Sequence, residues 1–330
     1  MRTHALIVIP ALAALSACVE PEDNPTTVHD LRVLAIRFET PEVLLNECNL
    51  GLLGGLAASA ADGGTIAIPP ALLEKLARDA ARPLTMTSLI ADPQGNGRPL
   101  KYRVVTCANQ NDRRCTNEGD FLELARGETT GGELSVTVAP GAMLLPDGTP
   151  LLQEVITQDL YKGLGGFRVP VVLDVQTMDG SEHVYAQKLM VYMCRFFPTM
   201  RENVTPVLPG VTIAGESWPE GEVKELSGTD EVEFSPEDFT ALQESYVLPS
   251  LELKPVELEE AWKVSWYTTS GTMSAATTGG VDFGGALGRQ RSRWRPDVTL
   301  TTPQDVTFTF VVRDGRGGNS WLQRRARWTP

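Results

Sequence analysis

The sequence predicts a mainly β protein made of two sandwich-like domains with short helical inserts. Three observations carry that prediction. Segments in both halves alternate apolar and polar residues with a period of two, as half-buried antiparallel strands do. Turn-forming clusters such as Asp-Gly separate these segments. The composition also changes near residue 200: Cys48, Cys107, Cys115 and Cys194 precede it, and all six tryptophans follow it. A length of 330 residues allows two domains. Hydrophobic residues at 42% and charged residues at 22% exclude a wholly disordered chain. The formal net charge of −13 argues against a nucleic-acid partner.

The chain opens with a short basic region, Met1 to His4, and an apolar stretch from Ala5 to Leu15. That stretch has signal-peptide length and is too short for a membrane span. Leu15-Ser16-Ala17-Cys18 follows, and it resembles the lipobox of bacterial lipoproteins. The resemblance implies removal of residues 1–17 and acylation of the Cys18 thiol. The covalent lipid is then the only group carried, with no cofactor, and it is the link to the membrane. Val19 at the next position, with no Asp there, resembles the outer-membrane sorting class, so the expected location is the outer membrane, facing the periplasm or the surface. Residues 18–29 read as a lipidated, flexible tether with Pro21 and Pro25.

The first domain is expected over residues 30–198. Leu31 to Phe38 reads as a strand with Leu34, Ile36 and Phe38 on one face. Leu84 to Ile90 and Tyr102 to Cys107 read as strands on either side of the turn Asp92 to Gly97. Phe167 to Val175 alternates, and Asp179-Gly180 turns it into Val184 to Arg195 as a hairpin. Pro70 to Ala81 and Leu151 to Tyr161 carry helical spacing. Phe197 to Asn203 reads as a linker.

The second domain is expected over residues 203–330. Trp262, Val264 and Trp266 alternate with polar neighbours, as do Val306, Phe308, Phe310 and Val312. These aromatic residues read as sandwich core rather than a carbohydrate platform. Asp314 to Asn319 is a glycine-rich turn, and Trp321 to Trp328 returns as the last strand. Ser235-Pro236-Glu237-Asp238 predicts a helix start, with Ser as N-cap and Pro in the first turn. The closing hairpins of the two halves are alike, which points to an internal repeat. VTFTFVVRDGRGGNS, with Trp262 and Trp266 as the central strand, resembles bacterial immunoglobulin-like domains of the PKD or cadherin-like kind. That resemblance implies immunoglobulin-like sandwiches. The cadherin calcium signature is not visible, and no calcium is carried over.

Site chemistry is sparse. An exported chain is expected to oxidise its cysteines. A local Cys107–Cys115 disulfide is preferred, leaving Cys48 with Cys194; zinc is the alternative, but the spacing is not that of a zinc site. His4, His29 and His183 are the only histidines, and His183 reads as a solvated turn residue. There is no G-x-S-x-G or S-x-x-K motif, and nothing singles out a carboxylate pair. The chain is therefore expected to be non-enzymatic: a structural or protein-interaction module of the envelope. An accessory binder of envelope glycan or anionic polymer is the alternative, and a hydrolase comes third.

Charge is unevenly spread. Residues 216–260 hold fourteen acids against Lys224 and Lys254, whereas 285–330 holds nine arginines against Asp297, Asp305 and Asp314. Arg289, Arg291, Arg293 and Arg295 recur at period two, so a strand places them on one face. Pairing with acidic strands of the same domain is the first reading of that face, and an anion-binding surface is the second.

Overall fold

The computed structural model describes residues 25–46, 78–116, 121–159, 165–250, 252–280 and 290–330. The signal segment, Cys18, Cys48 and Arg289 lie outside them. The first half supplies β1 (Arg32–Phe38), β2 (Glu42–Leu45), β3 (Leu84–Ala91), β4 (Leu100–Cys107), β5 (Phe121–Thr129), β6 (Gly132–Val138), β7 (Phe167–Thr177) and β8 (His183–Cys194). One sheet has the order β1-β3-β6, the other β2-β8-β7-β4-β5. Helix α1 (Leu151–Gln158) buries Leu151, Leu152, Val155 and Ile156 against the aliphatic core between them. Of the other predicted helix only 78–81 is described: 78–80 is helical and Ala81 is in a turn.

The second half supplies β9 (Val211–Ile213), β10 (Glu216–Ser217), β11 (Val223–Ser227), β12 (Val232–Pro236), β13 (Ser245–Pro249), β14 (Pro255–Glu259), β15 (Lys263–Thr268), β16 (Thr272–Met273), β17 (Thr277–Gly279), β18 (Ser292–Arg295), β19 (Gln304–Arg313) and β20 (Asn319–Thr329). Its sheets have the orders β10-β9-β12-β18-β16 and β11-β20-β19-β15-β17.

The two halves repeat one topology. In each, a short early strand lies parallel to the closing strand: β2 with β8, and β11 with β20. The closing hairpin then pairs antiparallel with a central strand, β7 with β4 and β19 with β15. In the opposite sheet, β3 pairs with both β1 and β6, and β12 with both β9 and β18. This is an immunoglobulin-like sandwich, present twice. The turn at Asp92–Gly97 carries the chain from one sheet to the other rather than closing a hairpin, because β3 and β4 belong to different sheets.

Three expectations change. Ser235 and Pro236 end strand β12, so they do not start a helix; a short 3-10 turn follows at Thr240–Leu242. Pairing with β9 overrides the local capping signal. Second, Leu34 leaves the face of Ile36 and Phe38. A bulge between Val33 and Ala35 adds one residue, and alternation shifts by one. Ile36 and Phe38 enter the first core, while Leu34 and Ala35 join Val28, Leu89, Val311 and Trp321 in a separate apolar cluster between the halves. Third, the tether ends earlier than residue 29. Thr26, Thr27 and Val28 are buried, and Thr27 forms a parallel bridge to Thr268. Thr26 accepts from the Thr268 N–H at 2.9 Å, and Thr27 Oγ1 donates to the Gly271 carbonyl at 2.7 Å.

The outer face of β1-β3-β6 thus meets the outer face of the second half's β20-β19 pair. The 197–203 connection is irregular, as expected of a linker, yet Met200 and Asn203 are buried. Among the described residues no helix is long and apolar enough to cross a membrane.

Candidate functional site

The seam between the sandwiches is organised by the glycine-rich turn that joins β19 to β20. Asp314 holds the turn from within. Its carboxylate accepts the N–H groups of Arg316 at 2.7 Å and Gly318 at 2.9 Å. Gly315 and Gly317 take left-handed backbone angles, φ 84° and 109°, which side-chain-bearing residues adopt at a cost. Wound this way, the turn sends the Arg316 side chain into the first half.

The Arg316 side chain, only 9% exposed, sits among carboxylates from both halves. It donates to Glu42 of β2 at 2.8 Å. Its other nitrogen lies 3.6 Å from Glu244 and 3.5 Å from Glu260. Its guanidinium also stacks over the Tyr246 ring, 4.2 Å from the centroid. The Glu260 contact is charge attraction rather than a hydrogen bond, since Glu260 Oε1 has no hydrogen-bond partner among the described residues. Asn203 ties the ends together. Its N–H donates to Glu42 at 3.0 Å and its amide to Asp314 at 2.7 Å.

Neighbouring bonds continue the seam. Lys188 Nζ donates to the Gly317 carbonyl. Asn319 donates to the Ile36 carbonyl at 2.7 Å, and Arg313 donates to Ser265 at 2.7 Å and to the Leu34 carbonyl at 3.4 Å. The Trp321 indole donates to Glu133 at 2.7 Å, and Arg37 lies 4.4 Å over its ring.

Burial sets the proton affinities. It raises Glu42 above the usual carboxylate range, against the pull of Arg316 and the Asn203 N–H. It raises Glu260 likewise, against the Trp262 indole and the Glu244 N–H. It pushes the Lys188 amine down to about 8, against the attraction of Asp314. A buried guanidinium shared by several carboxylates is costly to break by removing one member, because the others stay buried unpaired. The seam therefore works as a lock. Clefts of about 390 Å³ open on either side of the turn, both lined by Gln187, Lys188, Gly315 and Gly317. Among the described residues no group of three or more His, Cys, Asp or Glu is arranged to hold a metal ion.

The predicted site residues fall elsewhere. Cys107 and Cys115 form the expected disulfide, which packs with Val105 and Val172 on the outer face of the first five-stranded sheet. Cys194 is disulfide-bonded and buried, and Cys48, its expected partner, lies outside the described residues. Arg291, Arg293 and Arg295 share one exposed face of the β18 segment. They meet acids of β12 and the residue before it: Arg291 and Arg293 reach Glu233 at 3.4 Å, and Arg295 Nε donates to Glu231 at 3.1 Å. Such exposed pairs contribute little stability.

His183 is exposed, as expected of a solvated side chain, but it lies on a strand rather than in the turn. It begins β8, its Nε2 contacts the buried Asp174, and its Nδ1 lies 3.2 Å from the Tyr185 hydroxyl. Trp262, Trp266, Phe308 and Phe310 are core, as expected. The sequence reading missed Arg316, Glu42 and Asn203. The available signal was an arginine inside a glycine-rich turn, a costly place for a long side chain unless it has a partner.

No protein-family model matches the chain, and no curated protein does. Among solved structures the chain is similar to the D00-D0 domain of Intimin, at 8% identity and TM-score 0.22, covering 76% of this chain and 93% of that one. It is also similar to the fibronectin(III)-like modules of Clostridium thermocellum CbhA, at 7% identity and TM-score 0.19, covering 76% and 85%. A third is the C-terminal domain of the Streptococcus pyogenes antigen I/II-family protein AspA, at 8% identity and TM-score 0.19, covering 75% and 92%. Scores of this size define no shared domain arrangement; the immunoglobulin-like assignment stands on the strand order.

Proposed function

We propose that this chain is a non-enzymatic, lipid-anchored envelope protein that presents two locked immunoglobulin-like sandwiches as one unit. The supporting observation is the seam. Residues 26–28, just after the tether, are bonded into the second sandwich, and the Arg316 turn of the second is bonded into the first. Force or position imposed at Cys18 is thus passed to both sandwiches together. The acyl chains hold the anchor, and the loops of the sandwiches meet an envelope partner. The Cys107–Cys115 disulfide fits an oxidising compartment.

Metabolic labelling with a tagged fatty acid tests the anchor. The native chain is expected to incorporate label and fractionate with the outer membrane. Cys18→Ala is expected to lose both. Unlabelled native chain would overturn the reading.

A further inference from the structure

A separate cleft of about 410 Å³ lies where the incoming segment, the Asp92–Pro93 turn of the first sandwich and the outer face of the second meet. Its volume is that of a small-molecule site. Its floor is one cross-strand row on β15, β19 and β20: Tyr267 lies opposite Thr309, which lies opposite Gln323. Gln323 donates to the Thr309 hydroxyl at 3.1 Å, which leaves its carbonyl oxygen directed to no protein group among the described residues. The Tyr267 hydroxyl likewise has no protein partner there, and the ring is half-buried.

Charge narrows the ligand class. No Lys or Arg lines the cleft. Its two carboxylates are answered from outside: Arg98 donates to Asp92 at 2.7 and 2.9 Å, and Arg327 to Asp305 at 3.1 Å. A phosphate, sulfate or uronate would find two acids and no cation. A hydrocarbon chain would strand the Thr, Gln and Tyr hydrogen-bonding groups. A ligand rich in neutral hydroxyls satisfies the lining. Its hydroxyls would pair with Gln323 and Tyr267, and its C–H face would rest on the Tyr267 ring.

We infer that this cleft is a binding site for a neutral glycan. The inference concerns the fold alone and does not depend on the lipid anchor. Saturation-transfer NMR and calorimetry on the full chain in zwitterionic detergent test it. The probes are cellotetraose, maltotetraose and chitotetraose, with tetragalacturonate as the anionic comparator. At least one neutral probe is expected to bind saturably and tighter than tetragalacturonate. Tyr267→Ala is expected to weaken it at least about tenfold, and Gln323→Ala several-fold. Gln323 is exposed, so its alanine variant is expected to fold, as an unchanged near-ultraviolet spectrum would show. Arg291→Glu, on the other sheet of the second sandwich, is expected to leave affinity unchanged. The inference is overturned if none of the three neutral probes saturates, if tetragalacturonate binds tighter, or if both cleft variants bind like the native chain.

Discussion

The two sandwiches share a strand order and differ in what fills them. The first core is mainly aliphatic, from Leu84, Val104, Val169 and Leu173 to Met190, with α1 as a lid. The second is aromatic: Trp218, Phe234, Trp266, Trp294, Phe308, Phe310 and Trp328 are all fully buried. Most of their rings meet edge-on or tilted, as at Trp294 and Phe308, 5.4 Å apart, and Phe234 and Phe308, 4.8 Å apart, while Trp218 stacks on Phe234. Each core indole finds an acceptor: Glu222 O for Trp218, Thr278 for Trp266, Ser270 O for Trp294 and Gly228 O for Trp328. The first half instead adds covalent cross-links at Cys107–Cys115 and Cys194. Topology is thus indifferent to core chemistry. Alternation selects the faces, and either filling satisfies them.

Trp266→Ala is expected to cost about 3–5 kcal/mol, read as a lower urea midpoint. Because every tryptophan follows residue 200, and all but the seam residue Trp321 lie in the second core, intrinsic fluorescence reports mainly the second half. If the seam fuses the halves, Leu173→Ala in the first core moves that fluorescence transition too. A shift seen only by far-ultraviolet dichroism would show that they unfold separately. Arg316→Ala is expected to cost about 3 kcal/mol and to split one transition into two, since Glu42 and Glu260 stay buried without their cation. A single transition at the native midpoint would remove the lock.

Replacing Cys107 and Cys115 together by serine is expected to cost about 2–3 kcal/mol from loop closure, read as a lower urea midpoint. Stability also changes with pH. Glu42 and Glu260 bind their protons more tightly folded than unfolded, since burial raises them above 4.5. Their contribution to stability therefore grows as pH falls from the raised values to 4.5, and Glu42→Gln is expected to flatten that slope. Lys188 acts in the alkaline range. Its folded value of about 8 lies below the ordinary 10.5, so stability rises with pH between the two, and Lys188→Met removes the rise. Denaturant midpoints across pH check both signs.

Much of this was legible locally. The β7–β8 and β19–β20 hairpins, α1 and the short disulfide loop follow from period and spacing, and the likeness of the closing hairpins foretold the repeat. Strands β5 and β6 were missed: β5 shows no clear alternation of burial, whereas β6 does alternate, with Leu134, Val136 and Val138 inward, and was legible from its period. The β1 bulge and the end of β12 were misread, because strand pairing moved residues that local rules placed elsewhere. The Arg291–Arg295 ladder was placed on one face, but its Glu231 and Glu233 partners needed the β12–β18 register.

Two alternating-strand units, an aromatic core in the second and a cross-linked first follow from local sequence alone. Those properties are set by neighbours within a strand or a turn. The tertiary structure decided that the outer faces of the units meet, that residues 26–28 belong to the second, and that Arg316 reaches Glu42. That last pair is 274 residues apart in the chain. Periodicity marks which side of a strand is apolar, but it carries no information on which distant surface will cover the other side. Burying a charge there fixed that choice, because only the docked arrangement supplies its partners.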